Sequence, residues 1–277
     1  MNYTKIVTHP GQAHRDDFVA SAIALALFPS IVALFRREPT QEELDNPETL
    51  VLDVGGQVDP EKGNFDHHQF PRDAEPVCAL TLFLSHVQLL ERFRLLDWVA
   101  TTEIMDSKGP FELAKRLGCT PDSIFKNMSP VEGAMVEWFE GSTMLIATDT
   151  LGVVMRGLGS RMVGYANEIY SQMEWLMANS RVIDISGVPA LLMESANTKG
   201  TQKYRGHFHP ELGICLSWDD RGGGWSMYRF NDDLRVDFSR LANHPAVVFA
   251  HAGGFLAKTH ERLPLEEVLE LARKAIL

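Results

Sequence analysis

Residues 49–56, TLVLDVGG, are an apolar run that ends on a carboxylate and is followed by two glycines. A second apolar run, residues 5–8 (KIVT), also leads straight into a polar loop. Between them, residues 18–27 are apolar and rich in alanine, as in a buried helix, and residues 31–35 can form another strand. This order, with polar residues collected at strand ends, predicts an α/β fold whose N-terminal parallel sheet carries helices on both faces.

The rest of the chain divides into a helical part and a part with short strands. Predicted helices cover residues 79–105, 129–139, 162–177 and 264–276. Predicted strands cover residues 188–193, 212–218, 225–230 and 246–250, with Gly, Asp and Asn turns between them. The change of pattern near residues 180–187 predicts two domains, residues 1–182 and a smaller α/β domain over residues 183–277.

The composition is that of an ordinary globular protein, with 277 residues, 45% hydrophobic and 23% charged. It excludes a disordered or collagen-like chain. The three cysteines, Cys78, Cys119 and Cys215, are far apart and odd in number, which predicts a reducing compartment rather than a disulfide framework. No apolar run reaches about 18 residues, and residues 1–7 lack the layout of a signal peptide. We therefore predict a cytoplasmic protein that does not enter membranes.

The net charge of -11 argues against stable binding of duplex DNA, which needs a broad basic face. A small anionic substrate is still allowed, because a bound metal ion supplies positive charge locally. The acid excess lies in residues 1–196, whereas residues 197–240 hold seven Lys and Arg against six Asp and Glu. This distribution fits a metal-binding surface in the first part of the chain and an anion-binding surface in the second. It fits charged surfaces that are simply exposed to solvent equally well.

Imidazoles and carboxylates gather in four clusters, each after an apolar run, at residues 8–17, 53–56, 64–69 and 106–111. We expect these clusters at strand ends. Mixed nitrogen and oxygen ligands suit first-row divalent ions, and two ions about 3.5–4 Å apart need six or so ligands with one shared carboxylate. The candidate ligands are His9, His14, Asp16, Asp53, His67 and Asp106.

Together the clusters resemble the DHH phosphoesterase superfamily, named for the Asp-His-His motif present here at residues 66–68. They are most similar to its melanocyte-proliferating-gene-type exonuclease branch, whose motifs match residues 8–16, 53–60 and 66–69. The motifs span residues 8–111, and the likeness is looser beyond them. The resemblance implies that the first domain is a DHH-type metal-binding catalytic domain and that the second binds substrate.

The resemblance also implies how the metal ligands divide between two divalent ions. His9, His14 and Asp53 hold one ion, and Asp53 bridges to the other. The second ion's ligands are Asp16, Asp53, His67 and Asp106. Manganese is the favoured metal, with magnesium, cobalt and zinc left open. Asp97 competes with Asp106, which is preferred because residues 106–111 resemble the family's loop at this point.

The predicted catalytic residues are His68 and Asp66. His68 faces the phosphate, where it stabilises charge or protonates the leaving oxygen. Asp66 orients a histidine. The alternative for Asp66 is a turn or cap residue.

In the second domain the predicted substrate-binding residues are Arg229, His251, Gly253, Gly254 and Lys258. Guanidinium and backbone N–H groups suit phosphate oxygens. The sequence departs from the superfamily here, since its histidine precedes two glycines instead of following a glycine run. His207 and His209 are predicted to lie in a solvated loop. Core packing is preferred over base stacking for the aromatic residues Trp218, Trp225, Tyr228 and Phe230.

The sequence thus predicts a metal-dependent phosphodiesterase, a 3′-to-5′ exonuclease acting on short oligonucleotides. The first alternative is a phosphoanhydride hydrolase such as a pyrophosphatase. A catalytically silent metal-binding regulatory protein and a metal-dependent amidohydrolase are further alternatives, and a homodimer is left open.

Overall fold

The computed structural model describes residues 2–71 and 73–277 and divides the chain into two compact units. The first unit ends at Glu168 and the second covers Ile169–Leu277, so the division falls inside the longest helix. The predicted boundary after residue 182 lies farther along the chain, in the first strand of the second unit.

The first unit contains a six-stranded sheet in the order β4-β5-β3-β1-β2-β6. The strands are β1 (Lys5–Thr8), β2 (Ala33–Arg36), β3 (Thr49–Leu52), β4 (Val58–Asp59), β5 (Asn64–Phe65) and β6 (Met144–Ile146). Strand β1 runs parallel to β2 and β3, and β3 runs parallel to β5. Strands β4 and β6 are antiparallel edges. The predicted α/β fold with a parallel sheet is confirmed.

Eight helices accompany this sheet in the described part of the chain. They are α1 (Arg15–Leu27), α2 (Gln41–Asp45), α3 (Ala79–His86), α4 (Leu90–Arg94), α5 (Asp97–Leu117), α6 (Pro121–Lys126), α7 (Pro130–Glu140) and α8 (Thr150–Asn179), which continues into the second unit. Helix α1 is buried from Asp16 to Leu25, which explains its lack of a polar face. Helix α8 packs so closely on α1 that a side chain at Gly159 would overlap the Ala22 carbonyl.

The single helical pattern predicted over residues 79–105 is three helices, α3, α4 and the start of α5. Helix α5 then continues to Leu117, across a break at Gly109 (φ 81°, ψ 176°). Glycine adopts this backbone conformation without strain, and Pro110 favours an extended residue before it. No helix among the described residues is long and apolar enough to cross a membrane.

The second unit has its own six-stranded sheet, in the order β11-β12-β10-β9-β8-β7. Its strands are β7 (Arg181–Ile185), β8 (Val188–Leu192), β9 (Ile214–Trp218), β10 (Trp225–Arg229), β11 (Val247–Ala250) and β12 (Leu256–Thr259). Its helices are α9 (Thr201–Phe208) and α10 (Leu265–Lys274). Val268, Leu271 and Ala272 of α10 are buried in the core of this unit. The four predicted strands and the closing helix are present, whereas β7, β12 and α9 were not predicted.

Candidate metal centre

Three of the four polar clusters lie at one edge of the first sheet. His9 follows β1, Asp53 follows β3, and Asp66 and His67 follow β5. Because β1, β3 and β5 are linked in parallel, their carboxyl ends meet at the same edge. This is where an open α/β sheet places its ligands.

The fourth cluster does not follow a strand, so that expectation was wrong. Asp106 lies inside α5, and the predicted loop begins only at the break at Gly109. Asp106 nevertheless reaches the other clusters, since its Oδ2 atom is 2.8 Å from Nε2 of His67. Asp97, the competing candidate, is the first residue of α5 and belongs to none of the convergent groups found among the described residues.

The ligand atoms converge in three overlapping groups. In one, single atoms of Asp16, Asp53, His67 and Asp106 lie within 4.8 Å of one another. In another, atoms of His9, Asp17 and Asp53 do so. Asp53 belongs to both of these groups, which is the position expected of a carboxylate shared by two ions. A third group, Asp53 with His67 and His68, overlaps the first.

His14 and Asp17 differ from the prediction, because Asp17 belongs to a convergent group and His14 does not. His14 lies beside the cluster but in none of these groups: its Nδ1 is 3.5 Å from Asp106 Oδ1, and its ring centroid is 5.6 Å from that of His9. Asp17 was not predicted as a ligand, although it lies beside His9 and Asp53. The available signal was a second carboxylate directly after Asp16 at the start of an otherwise apolar helix.

Buried ligand atoms without hydrogen-bond partners fill this centre. Among the described residues they are His9 Nδ1, both oxygens of Asp16, Oδ2 of Asp17, both oxygens of Asp53, Nε2 of His67 and Oδ2 of Asp106. His67 Nε2 is close to Asp53 and Asp106, at 3.1 and 2.8 Å, but the angles are not those of hydrogen bonds. Buried polar atoms are normally satisfied, so a set of orphaned nitrogen and oxygen atoms fits bound divalent ions.

The pKa values of the cluster residues reflect an excess of buried negative charge. Burial, then repulsion from Asp53 and Asp106, raises the pKa of Asp16 well above its usual range. Burial and Asp53 raise the pKa of Asp17 to about 7. Burial opposes the charged form of His67, but the Asp106 and Asp53 carboxylates raise its pKa to about 10. A protonated imidazole therefore supplies positive charge to the cluster, and metal binding must release that proton.

Asp66 connects the cluster at residues 64–69 to the cluster at residues 53–56. Its Oδ1 atom lies 2.7 Å from His68 Nδ1 and accepts the His68 backbone N–H at 3.0 Å, while Oδ2 accepts the Gly56 N–H at 2.6 Å. Burial opposes ionisation of Asp66, yet these bonds lower its pKa to about 2. The Asp66 carboxylate in turn raises the pKa of His68. The histidine that Asp66 contacts is thus His68, and the catalytic roles of both stay predictions.

The backbone after β3 adopts conformations that are uncommon outside glycine. Asp53 has φ 59°, a left-handed value that is accessible to Asp but uncommon. Gly55 has φ 97°, and a Cβ there would lie 2.8 Å from Leu44 Cδ2. This turn aims the shared carboxylate into the cluster, as strained residues at functional sites often do.

In the second unit, Arg229 and Lys258 are held by protein groups. Arg229 donates to the carbonyl of Val236 at 2.9 Å and to that of Gly253 at 3.1 Å. It also pairs with Asp232 at 2.9 Å. Lys258 Nζ is 2.5 Å from Asp219. Each residue has a structural role, and its contact with a substrate stays a prediction.

The loop with His251, Gly253 and Gly254 is folded back on itself. His251 Nδ1 accepts the Gly253 N–H at 2.9 Å, and the His251 ring lies 4.1 Å from that of Phe255. Gly254 has φ 71°, and a Cβ there would overlap Asp237. This geometry explains the glycine at 254, and substrate contact by the loop stays a prediction.

The remaining candidates of the second unit divide between helix and core. His207 lies in α9 and His209 at its C-terminal end, so the predicted loop was wrong. Trp225 and Phe230 are buried, as preferred. Trp218 is half-buried under the Arg262 guanidinium, 3.8 Å from its ring centroid, and Tyr228 is half-buried.

Residues 5–75 match the model of the family MYG1_exonuc, described as Uncharacterised protein family (UPF0160). The match bears out, over these residues, the resemblance to the melanocyte-proliferating-gene-type exonuclease branch. Two solved structures of RecJ from Thermus thermophilus, one with Mn2+ and one with Mg2+, are similar to this chain at 12% and 13% identity and TM-scores of 0.31 and 0.32. The alignments cover 98% of this chain but 51% and 49% of RecJ, so the chain spans about half the length of RecJ. No curated protein matches the chain.

Proposed function

We propose that this chain is a divalent-metal-dependent phosphodiesterase of the DHH type that removes nucleotides from short oligonucleotides in the 3′-to-5′ direction. The observation that carries the proposal is the buried, unpartnered ligand cluster around the shared Asp53 carboxylate. The family match supports it, because residues 5–75 contain every predicted metal ligand except Asp106. A silent regulatory protein is disfavoured because such proteins usually lose ligands.

The cluster would hold two divalent ions, for which manganese is the proposed metal. When bound, such ions lower the pKa of water and neutralise charge on a phosphate. Asp16, His67 and Asp106 would hold one ion and His9 would hold the other, with His14 beside it. Asp53 belongs to both groups and would be shared by the two ions.

His68 is proposed to act on the substrate rather than on the metals. Asp66 occupies its Nδ1 at 2.7 Å, so the ring presents Nε2 to a substrate, and 51% of the side chain is exposed. Asp66 also favours the protonated ring, which can donate its Nε2 proton to the leaving oxygen. Asp66 thus orients and charges His68, as carboxylates do for catalytic histidines.

The second unit is proposed to hold the nucleotide that is removed. Arg229 is 14% exposed and its guanidinium already holds the carbonyl of Gly253, so the arginine and the glycine loop can present donors together. Gly253, Gly254, His251 and Lys258 complete the proposed anion site. A cytoplasmic location stays a prediction.

The test is hydrolysis by the purified protein with manganese of a panel of substrates. The panel contains RNA and DNA oligomers of two to ten nucleotides labelled at either end, cyclic dinucleotides and pyrophosphate. We expect stepwise shortening from the 3′ end with release of nucleoside monophosphates, and loss of activity with chelator and in Asp53→Asn. Hydrolysis of pyrophosphate alone would establish the phosphoanhydride alternative, and metal binding without hydrolysis of any substrate would establish a silent protein.

A further inference from the structure

Asp17 lies at the metal centre without a role in the ligand set that the family resemblance implies. It is the third residue of α1, and its side chain is fully buried. One of its oxygens lies within 4.8 Å of ligand atoms of both His9 and Asp53. These two residues are the ones proposed to meet at the first ion.

The two oxygens of Asp17 are used differently. Oδ1 accepts the backbone N–H of His14 at 2.9 Å, which caps the start of α1. Oδ2 is buried and has no hydrogen-bond partner among residues 2–71 and 73–277. Capping requires a single acceptor, which a neutral Asn supplies equally well. A second acceptor, Oδ2, is therefore left over, buried in the group with His9 and Asp53.

Arg36 compensates the charge of the Asp17 carboxylate without donating a hydrogen bond to Oδ2. The residue ends β2 and is 5% exposed. Its guanidinium donates to the Glu140 carbonyl at 3.0 Å and lies 4.8 Å from the Phe139 ring centroid. These contacts hold the charge 3.8 Å from Asp17 Oδ2, close enough to stabilise a carboxylate but too far for a hydrogen bond. Oδ2 of Asp17 therefore stays without a hydrogen-bond donor among the described residues.

We propose that Asp17 is a ligand of the first divalent ion, together with His9 and Asp53, and that Arg36 is a positioning residue for the Asp17 carboxylate. The proposal rests on the proposed function, because it assumes a two-ion centre. It places Asp17 where the resemblance places His14, whose Nδ1 instead faces Asp106 at 3.5 Å.

The first test is manganese binding to Asp17→Asn, by isothermal titration calorimetry and by metal analysis after dialysis. Asn keeps the size of the side chain and the acceptor for the His14 N–H but removes the charge. We expect the wild type to bind two ions and Asp17→Asn to bind one of them at least about 10–100-fold more weakly. The unfolding temperature of the metal-free variant is measured in parallel, so that weaker metal binding is distinguished from loss of the fold.

Double variants identify which ion Asp17 serves. Combining Asp17→Asn with His9→Ala should weaken one of the two binding steps further and leave the other near its wild-type value, because both residues serve one ion. Combining it with Asp106→Asn should weaken both steps, because the two residues serve different ions. If Asp17→Asn weakened the binding of both ions equally, Asp17 would act only through long-range electrostatics, and its assignment as a ligand would be wrong.

The positioning role of Arg36 has its own readout in the metal-free protein. Arg36→Met should lower the unfolding temperature, because the Asp17 charge is then buried without compensation. Adding Asp17→Asn should recover part of that loss, whereas strictly additive losses would show that Arg36 does not act on Asp17. If the wild type binds no manganese, the proposed function fails. If it binds two ions and Asp17→Asn binds them equally well, only this inference fails.

Discussion

His67 and Asp106 bring Nε2 and Oδ2 to 2.8 Å, although one residue follows β5 and the other lies in α5. The contact lacks hydrogen-bond geometry, and both atoms are otherwise unpartnered within the described residues. Two buried ligand atoms so close are arranged as neighbours around a common ion would be. The helix thus brings Asp106 to the cluster that the sheet edge assembles.

The stability of the metal-free protein should fall as the pH rises from about 6 to 10. The pKa of His67 is about 10 in the folded protein, above its ordinary value of 6.5. Its contribution to stability is therefore fully present below the unfolded pKa and is lost as the pH rises through the folded pKa. Asp17, with a pKa of about 7, acts in the same direction at the lower end of this range.

Differential scanning fluorimetry across this pH range, with chelator present, measures the effect. His67→Gln should flatten the upper part of the profile. Saturating manganese should also reduce the decline, because ligands bind the metal in their deprotonated forms. A metal-free unfolding temperature that stays constant or rises over this range would contradict the assigned protonation of His67.

Asp53→Asn should be the most damaging single substitution in the centre. Asn tolerates the left-handed backbone at this position, where φ is 59°, so the change removes the shared charge with little strain. Binding of both ions should weaken, and kcat should fall about 10³-fold or more. Asp97→Asn is the matched control, since Asp97 belongs to none of the convergent groups among the described residues, and it should keep both ions. Turnover that survives Asp53→Asn would reject the two-ion centre.

His67→Ala and His68→Ala should separate metal binding from catalysis. His67→Ala removes a ligand atom of the four-residue group, so manganese content should fall. His68→Ala should leave metal content near normal and lower kcat about 10²–10⁴-fold, the range for a general acid. Asp66→Asn should resemble His68→Ala, because it weakens the bond at His68 Nδ1. Equal loss of metal in the two histidine variants would show that His68 is a ligand, as its proximity to Asp53 allows.

The sheet edge could be predicted from the sequence because strand ends are local features. The run over residues 5–8 is β1 itself, and parallel pairing then gathers His9, Asp53 and His67 without further information. Asp106 was placed in a loop because residues 106–111 resemble the family's loop at this point, but the helix breaks only at Gly109, three residues beyond Asp106. A helix can therefore carry a ligand that sequence reasoning assigns to a loop.

Asp17 and α9 show what local patterns do not contain. Asp17 looks like an ordinary acidic residue in the first turn of a helix, and only its distance from His9 and Asp53 gives it a place in the centre. Helix α9 includes Gly206 and consists mostly of polar residues, so its composition resembles a loop. Its Tyr204 is buried, and that tertiary contact outweighs the weak helical propensity.

Gly254→Ala should destabilise the second unit beyond the cost of a left-handed alanine. The φ of 71° costs a non-glycine residue about 1–2 kcal/mol, and the added Cβ would also overlap Asp237. Gly187→Ala is the matched control, with φ 84° and no atom within 4 Å of the new Cβ among the described residues. Denaturant unfolding should show a larger loss for Gly254→Ala. Equal losses would mean that the loop moves away from Asp237 at little cost.

Arg229→Lys should raise KM for oligonucleotides more than it lowers kcat. A lysine keeps the positive charge but cannot reach the carbonyls of Val236 and Gly253 and a phosphate together, which the forked guanidinium can. If Arg229 grips a phosphate remote from the bond being cleaved, the lost interaction is common to bound substrate and transition state, so it appears in KM.

Arg235→Lys is the control, because Arg235 pairs with Asp233 at the surface and should leave both constants unchanged. Steady-state kinetics on a labelled trinucleotide, with the unfolding temperature measured in parallel, distinguishes the two roles of Arg229. A lower unfolding temperature with an unchanged KM would leave this arginine with its structural bonds alone, and the anion site would then have to be sought at His251 and Lys258.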